Sequence, residues 1–138
     1  IGAKLDYMES ELGADNKDVL RLKEYYHLLE IRDWLYIKKL IKDCNIDATT
    51  ILYFYSNNGD CDVCQDQGFI LTYIKKKYPE TYIYSFDINI NNQALSILKK
   101  NYNVSGVPVL IVNDKRFSGF VDKSELDPAM NNKNLSSK

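Results

Sequence analysis

The apolar run from Thr50 to Tyr55 is the feature that most constrains how this chain folds. Its β-branched and aromatic side chains favour a strand, and a run that is apolar throughout predicts a strand buried on both faces. The polar segment 56–60 ends this strand. Apolar residues then recur every three or four positions from Cys64 to Tyr78, which predicts a helix that stops before Pro79. The first predicted unit is therefore a strand, a polar loop and a helix.

Strands and helices continue to alternate beyond this unit. The pattern predicts strand 81–88, helix 92–102, strand 109–112, a returning strand 116–120 and a short closing helix through Leu126. Such alternation implies a parallel core, and the terminal hairpin adds an antiparallel edge. The predicted fold class is α/β, with a central mixed sheet of about four strands flanked by helices.

The segment 3–44 is predicted to be helical and to precede the sheet. Gly13 is a suitable stop for a short first helix, and Asp15 or Asn16 is a suitable cap for a second one that ends near Asn45. The apolar side chains that recur at helical spacing in the second helix are Leu20, Tyr25, Leu28, Leu29, Trp34, Leu35, Leu40 and Ile41. We therefore expect an amphipathic helix that packs on the sheet.

The 138 residues fit one domain, which we divide into an N-terminal helical segment, 1–46, a main unit, 47–127, and a flexible tail, 128–138. With 18 basic and 19 acidic side chains, the chain has no basic excess for binding nucleic acid. No apolar run approaches the roughly 18 residues of a membrane span. Two locations stay open: an extracytoplasmic domain tethered through a segment upstream of Ile1, or the cytoplasm.

Three cysteines are too few for a disulfide-dense secreted scaffold, but Cys61 and Cys64 form a C-x-x-C pair. Cys44 stands apart and is predicted to be a small buried residue on the inner helix face. A regulatory or intermolecular thiol is the alternative. A structural zinc site needs four ligands, and His27 is too far along the helix from Cys44 to complete one. We therefore expect no bound metal.

Spacing of three on a helix would place the sulfurs of Cys61 and Cys64 on neighbouring turns, within bonding distance. At the helix N-terminus Cys61 would ionise and attack a disulfide, while the buried Cys64 would resolve the mixed disulfide. Asp60 and Asp62 flank Cys61 and oppose the helix dipole, which raises the pKa of its thiol. This predicts a reductant or isomerase-like centre rather than a strong oxidase. A static structural disulfide is the alternative.

Four features in the same order resemble the thioredoxin superfamily over residues 47–126. They are the strand 51–55, the Cys61-Cys64 pair, the Val107-Pro108 step that opens the third strand, and Gly119 after the hairpin. The resemblance implies that the Val107-Pro108 peptide is cis, lies against the cysteines and binds the substrate chain by backbone pairing. A trans proline at the start of a strand is the alternative.

The departures from the thioredoxin pattern concern the surroundings of the cysteines. Thioredoxins usually have Trp-Cys-Gly-Pro-Cys, whereas this chain has Asp60 before the pair and Asp62-Val63 within it. Tyr55 takes the position of their buried strand acid. We expect Tyr55 to be a core residue, with a proton relay or a water anchor as the alternative role. The helical segment 3–44 replaces the usual first strand and helix.

The resemblance implies a thiol–disulfide oxidoreductase that acts on protein thiols and disulfides. It would need no metal or organic cofactor, but it would need a redox partner, which the sequence does not identify. A non-catalytic thioredoxin-fold module that binds proteins is the main alternative. A glutathione-dependent glutaredoxin is a third reading, which Asp60 and Asp62 disfavour because glutathione carboxylates would need basic neighbours.

Overall fold

Five helices and four strands make up residues 2–131, the part of the chain that the computed structural model describes. In chain order they are α1 (Gly2–Leu12), α2 (Lys17–Cys44), β1 (Thr49–Tyr55), α3 (Cys64–Lys77), β2 (Thr81–Asp87), α4 (Gln93–Asn101), β3 (Val109–Val112), β4 (Lys115–Ser118) and α5 (Lys123–Asn131). Most of the tail that was predicted to be flexible, 132–138, lies outside the described residues. None of the described helices is both long enough and apolar enough to cross a membrane.

The four strands form one mixed sheet, as predicted, and their order in it is β2-β1-β3-β4. The predicted parallel core is wrong beyond its first pair, because β1 is parallel to β2 but antiparallel to β3. Tyr55 lies opposite Asp87, and Phe54 lies opposite Val109, so β2 ends and β3 begins at the same end of the sheet. The chain that contains α4 thus leaves and re-enters the sheet at one end instead of crossing it.

Strand β1 lies in the middle of the molecule and is buried on both faces, as its composition predicts. On one face Leu52 and Phe54 join a cluster with Trp34 of α2 and Leu95 of α4. On the other face, Ile51, Tyr53, Leu71, Ile74, Leu110, Leu126 and Met130 form a second cluster, which includes α3 and α5. Burial of each large apolar side chain contributes about 1.5–3 kcal/mol, so β1 contributes to the stability of both halves of the core.

Local sequence signals set the ends of α1 and α2 where they were predicted. Gly13 follows α1 with φ +92°, a left-handed conformation that suits glycine, and its N–H donates to the carbonyl of Glu9 at 2.9 Å. Asn16 caps α2, since its Oδ1 accepts from the N–H groups of Asp18 at 2.9 Å and Val19 at 3.2 Å. Asn45 ends α2 in the left-handed conformation, with φ 55°.

The buried face of α2 agrees only in part with the apolar face that the sequence pattern indicates, and Trp34 is the member that both share. Leu20, Leu28 and Leu35 are exposed, whereas the buried side chains are Val19, Lys23, His27, Glu30 and Trp34. The physical reason is that the N–H groups along the outer edge of β2 need hydrogen-bond acceptors, which polar side chains of α2 provide. The N–H of Ser85 donates to Glu30 at 2.8 Å, and that of Asp87 donates to His27 at 3.0 Å.

Cys44 is exposed, so its predicted burial on the inner helix face is wrong. It is the last residue of α2, and the residues around it, 42–47, are all exposed. The end of α2 therefore projects beyond the core. At Cys44 the helical period that places earlier residues against the sheet no longer leads to burial.

Helix α5 is longer than the predicted closing helix and continues past Leu126 to Asn131. Residues 128–131 are therefore helical, although they were predicted to belong to the flexible tail. Leu126 and Met130 lie one turn apart and both pack in the core cluster beside α3. This burial favours continuation of the helix through Pro128.

Candidate functional site

Cys61 and Cys64 are joined by a disulfide, with an S–S distance of 1.96 Å and a Cα–Cα distance of 5.5 Å. The pair does not lie on neighbouring turns of a helix, because α3 begins only at Cys64. Cys61 lies in the preceding turn, where its carbonyl accepts from the N–H of Cys64 at 3.5 Å. This contact joins residues three apart, and no side chain caps the helix at Val63. The predicted placement of Cys61 on the helix is therefore wrong by one turn.

The two cysteines differ in exposure as predicted: Cys61 is partly exposed, and Cys64 is only 6% exposed. Asp60 and Asp62 are exposed on either side of Cys61. The Ser56 hydroxyl donates a short hydrogen bond to Asp60, which fixes the direction of this carboxylate. A disulfide with one accessible and one buried sulfur can be opened by an external thiol at the accessible side.

Tyr53 contacts the cysteine turn directly, although Tyr55 was the tyrosine predicted to lie near the cysteines. The hydroxyl of Tyr53 donates to the carbonyl of Cys64 at 2.5 Å, and burial raises its pKa to about 12. The rings of Tyr53 and Tyr55 stack with centroids 5.4 Å apart. Side chains two residues apart in a strand lie on the same face of the sheet, so Tyr53 and Tyr55 share a face. This period was the sequence signal that could have identified Tyr53.

Tyr55 lies at the end of β1 between Tyr53 and a lysine from α2. Burial raises the pKa of Tyr55 well above its ordinary value, and Lys23 lowers it in part. The Lys23 ammonium is 5.4 Å from the centre of the Tyr55 ring. The phenol of Tyr55 therefore ionises less readily than that of an exposed tyrosine.

A buried ion-pair cluster around Lys23 was not predicted. Its Nζ lies 2.6 Å from Glu9 and 2.9 Å from Asp87, and its side chain is 3% exposed. Burial alone would lower the pKa of Lys23, but Tyr55, Glu9 and Asp87 raise it above the ordinary value. Asp87, the last residue of β2, is thus a buried ion-pair partner. Between residues 2 and 131, no three Cys, His, Asp or Glu side chains are grouped as metal ligands would be.

The Val107-Pro108 peptide is cis, as the resemblance implied. Pro108 immediately precedes β3, whose first residue pairs with Phe54 near the end of β1. It therefore lies at the end of the sheet from which the cysteine turn departs. The N–H of Gly119 donates to the Pro108 carbonyl at 2.9 Å, with φ +83° at the glycine. Gly119 directly follows β4, which ends at Ser118 and not at residue 120 as predicted.

Gln67, one turn after Cys64, is fully buried. Its burial was not predicted, because the glutamine side chain is polar. Its amide donates to the carbonyl of Val121 at 3.0 Å and accepts from the N–H of Val121 at 2.8 Å. This pair of bonds attaches α3 to the segment after β4. The helical spacing from Cys64 to Leu71 placed Gln67 on the inner face, and that was the available signal.

Three solved thioredoxins are similar in structure to this chain. Thioredoxin O2 from Arabidopsis thaliana in the oxidized state has a TM-score of 0.51 at 25% identity, over 70% of this chain and 84% of its own. Mitochondrial thioredoxin 3 from Saccharomyces cerevisiae has a TM-score of 0.52 at 16% identity, over 72% and 89%. The Fasciola hepatica thioredoxin has a TM-score of 0.52 at 21% identity, over 69% and 88%.

No family model and no curated protein matches the sequence. The structural similarity therefore rests on the arrangement of strands and helices. The bonded cysteines, Cys61 and Cys64, also have C-x-x-C spacing and lie at the start of α3. The chain has the fold of the thioredoxin superfamily.

Proposed function

We propose that this chain is a thiol–disulfide oxidoreductase that exchanges electrons with protein disulfides through Cys61 and Cys64. The observation that carries the proposal is the unequal exposure of the bonded pair, with Cys61 partly exposed and Cys64 buried. Such a pair provides one sulfur for a substrate and one that is reserved for resolution. The thioredoxin-like neighbours support the same type of chemistry.

In the reducing direction, the Cys61 thiolate attacks one sulfur of a substrate disulfide. A Cys61–substrate bond forms, the substrate S–S bond breaks, and the departing thiolate takes a proton from solvent. The Cys64 thiolate then attacks the Cys61 sulfur, which forms the Cys61–Cys64 disulfide and releases the second substrate thiol. Two electrons pass from the dithiol to the substrate, and a redox partner must return the protein to the dithiol.

Val107 and Pro108 are proposed to position the substrate. They lie at the end of the sheet where the cysteine turn leaves β1, and the cis peptide presents the Val107 backbone next to that end. An extended substrate segment could pair with the Val107 backbone while its sulfur meets Cys61. No side-chain pocket is required, so this mode of binding fits substrates of varied sequence.

We infer further that the centre acts as a reductant or isomerase rather than as a strong oxidase. Asp60 and Asp62 place two negative charges beside Cys61, and like charges destabilise a thiolate. A less stable thiolate favours the disulfide form, which corresponds to a lower reduction potential. The reduction potential against glutathione buffers measures this preference directly.

Insulin reduction with dithiothreitol as electron donor tests the activity. The wild-type chain should accelerate precipitation of the reduced insulin chains, and Cys61→Ser should reduce the rate to the uncatalysed level. Cys44→Ser is the matched control, since it removes an exposed cysteine at the end of α2 and should leave the rate unchanged. Equal rates for the wild type and Cys61→Ser would instead favour a non-catalytic binding module.

A further inference from the structure

Lys23 has no role in the steps above, yet it is the most buried cation among the described residues. An unpaired charge at such a position costs several kcal/mol, and here two carboxylates, Glu9 and Asp87, compensate it. The cluster joins α1, α2 and the end of β2, which is the strand end beside the cysteine loop.

One chain of hydrogen bonds leads from this cluster to the residue before Cys61. Asp87 Oδ1 accepts from the N–H of Asn89 at 3.0 Å and from its amide at 2.9 Å. The same amide donates to the hydroxyl of Ser56 at 2.8 Å. Ser56 in turn donates its hydroxyl proton to Asp60. Each side chain in this chain is therefore oriented by the one before it.

A second connection leads from Lys23 to the same loop through α1. Glu9 binds Lys23 with Oε2, while its Oε1 accepts from the amide of Asn57 at 2.7 Å. Loop 56–60 is thus held at Asn57 by Glu9, a direct partner of Lys23, and at Ser56 by Asn89, which is bound to Asp87. Because Asp60 ends this loop, the position of its carboxylate relative to Cys61 depends on both connections.

We propose that Lys23 is a positioning residue for the redox centre, and that it acts through Asp60. The proposal rests on the proposed function of Cys61 and Cys64. With Lys23 present, the buried carboxylates are compensated and the Asp60 charge is held against Ser56. Without it, the ammonium group would no longer fix Asp87 and Glu9, the hydrogen bonds that hold Ser56 and Asn57 would weaken, and the Asp60 carboxylate would be released from Ser56. More negative potential would then reach Cys61, so the thiolate would be less stable and the disulfide favoured.

The test is the equilibrium of the Cys61–Cys64 disulfide with glutathione buffers in the full chain, together with the pH profile of Cys61 alkylation. Lys23→Met and Ser56→Ala should each shift the equilibrium toward the disulfide by a factor of about three or more and move the alkylation profile to higher pH. Arg21→Met is the matched control on α2, since its contact with Asp18 is exposed and it should change neither readout.

Ser56→Ala removes no buried charge, so it decides the question if Lys23→Met does not fold. In an Asp60→Asn background both substitutions should lose most of their effect. An unchanged equilibrium in Ser56→Ala, a shift toward the dithiol, or an undiminished shift in the Asp60→Asn background would overturn the proposal. The glutathione equilibrium can be measured whether or not insulin is reduced, so failure of the proposed activity is a separate result.

Discussion

The N–H of Asp87 donates to Nε2 of His27 across 3.0 Å, and this contact fixes which nitrogen of the ring carries the proton. Because Nε2 accepts, the proton is on Nδ1, which lies 3.0 Å from Glu30 and donates to it. Glu30 also accepts from the N–H of Ser85, so two helix side chains occupy successive donors of the β2 edge. In this chain, α2 thus covers an edge that another strand could otherwise extend.

His27→Ala should lower the free energy of unfolding by about 1–3 kcal/mol, because it leaves the N–H of Asp87 buried without an acceptor. Urea denaturation followed by circular dichroism measures the change. Tyr25→Ala, at an exposed position of the same helix, is the control and should change stability by no more than about 0.5 kcal/mol. Equal losses in the two variants would contradict the role of His27 at the strand edge.

Gln67→Leu should destabilise the fold by about 2–4 kcal/mol, since it leaves both the N–H and the carbonyl of Val121 without their partner. Gln65→Leu, two positions earlier on the exposed side of α3, makes the same chemical change where no buried bond is lost. Thermal unfolding of the two variants compares them. A melting temperature of Gln67→Leu as high as that of Gln65→Leu would show that the bonds to Val121 contribute little.

Gly119→Ala should cost about 1–3 kcal/mol, because φ is +83° and an L side chain is strained there. No atom lies within 4 Å of the added methyl group, so the loss would come from the backbone alone. Gly68→Ala in α3 is the matched control, which also has open space but a helical backbone, and it should stabilise by about 0.5–1 kcal/mol. Denaturation midpoints should therefore move in opposite directions.

Stability should decline at alkaline pH through Tyr53. Its pKa is about 12 in the folded chain against an ordinary value of 10.0, so the unfolded chain releases the proton first. The contribution of the Tyr53 phenol to the free energy of unfolding is therefore complete below pH 10 and is lost as the pH rises from 10 to about 12. Urea unfolding at stepwise pH should show this decline, and Tyr53→Phe should make it shallower. An unchanged slope in Tyr53→Phe would assign the decline to other groups.

Features that depend on near neighbours in the chain could be predicted from the sequence. The buried strand β1, the cap at Asn16, the C-x-x-C pair and the Val107-Pro108 step each carry their signal within a few residues. Side-chain period, capping chemistry and cysteine spacing are local properties, which is why these elements were found, whereas the cis geometry of Val107-Pro108 was implied only by the resemblance to the thioredoxin superfamily.

Other features were decided by contacts between distant parts of the chain. The hydrogen-bond donors of β2 lie 55 and 60 residues from Glu30 and His27, and their need for acceptors determined which face of α2 is buried. The direction of β3 depended in the same way on where α4 returned the chain to the sheet. Helical period shows that one face is apolar, but only the assembled sheet shows which unpaired groups the helix must satisfy. Polar burial at Lys23, His27 and Glu30 is therefore a consequence of tertiary structure.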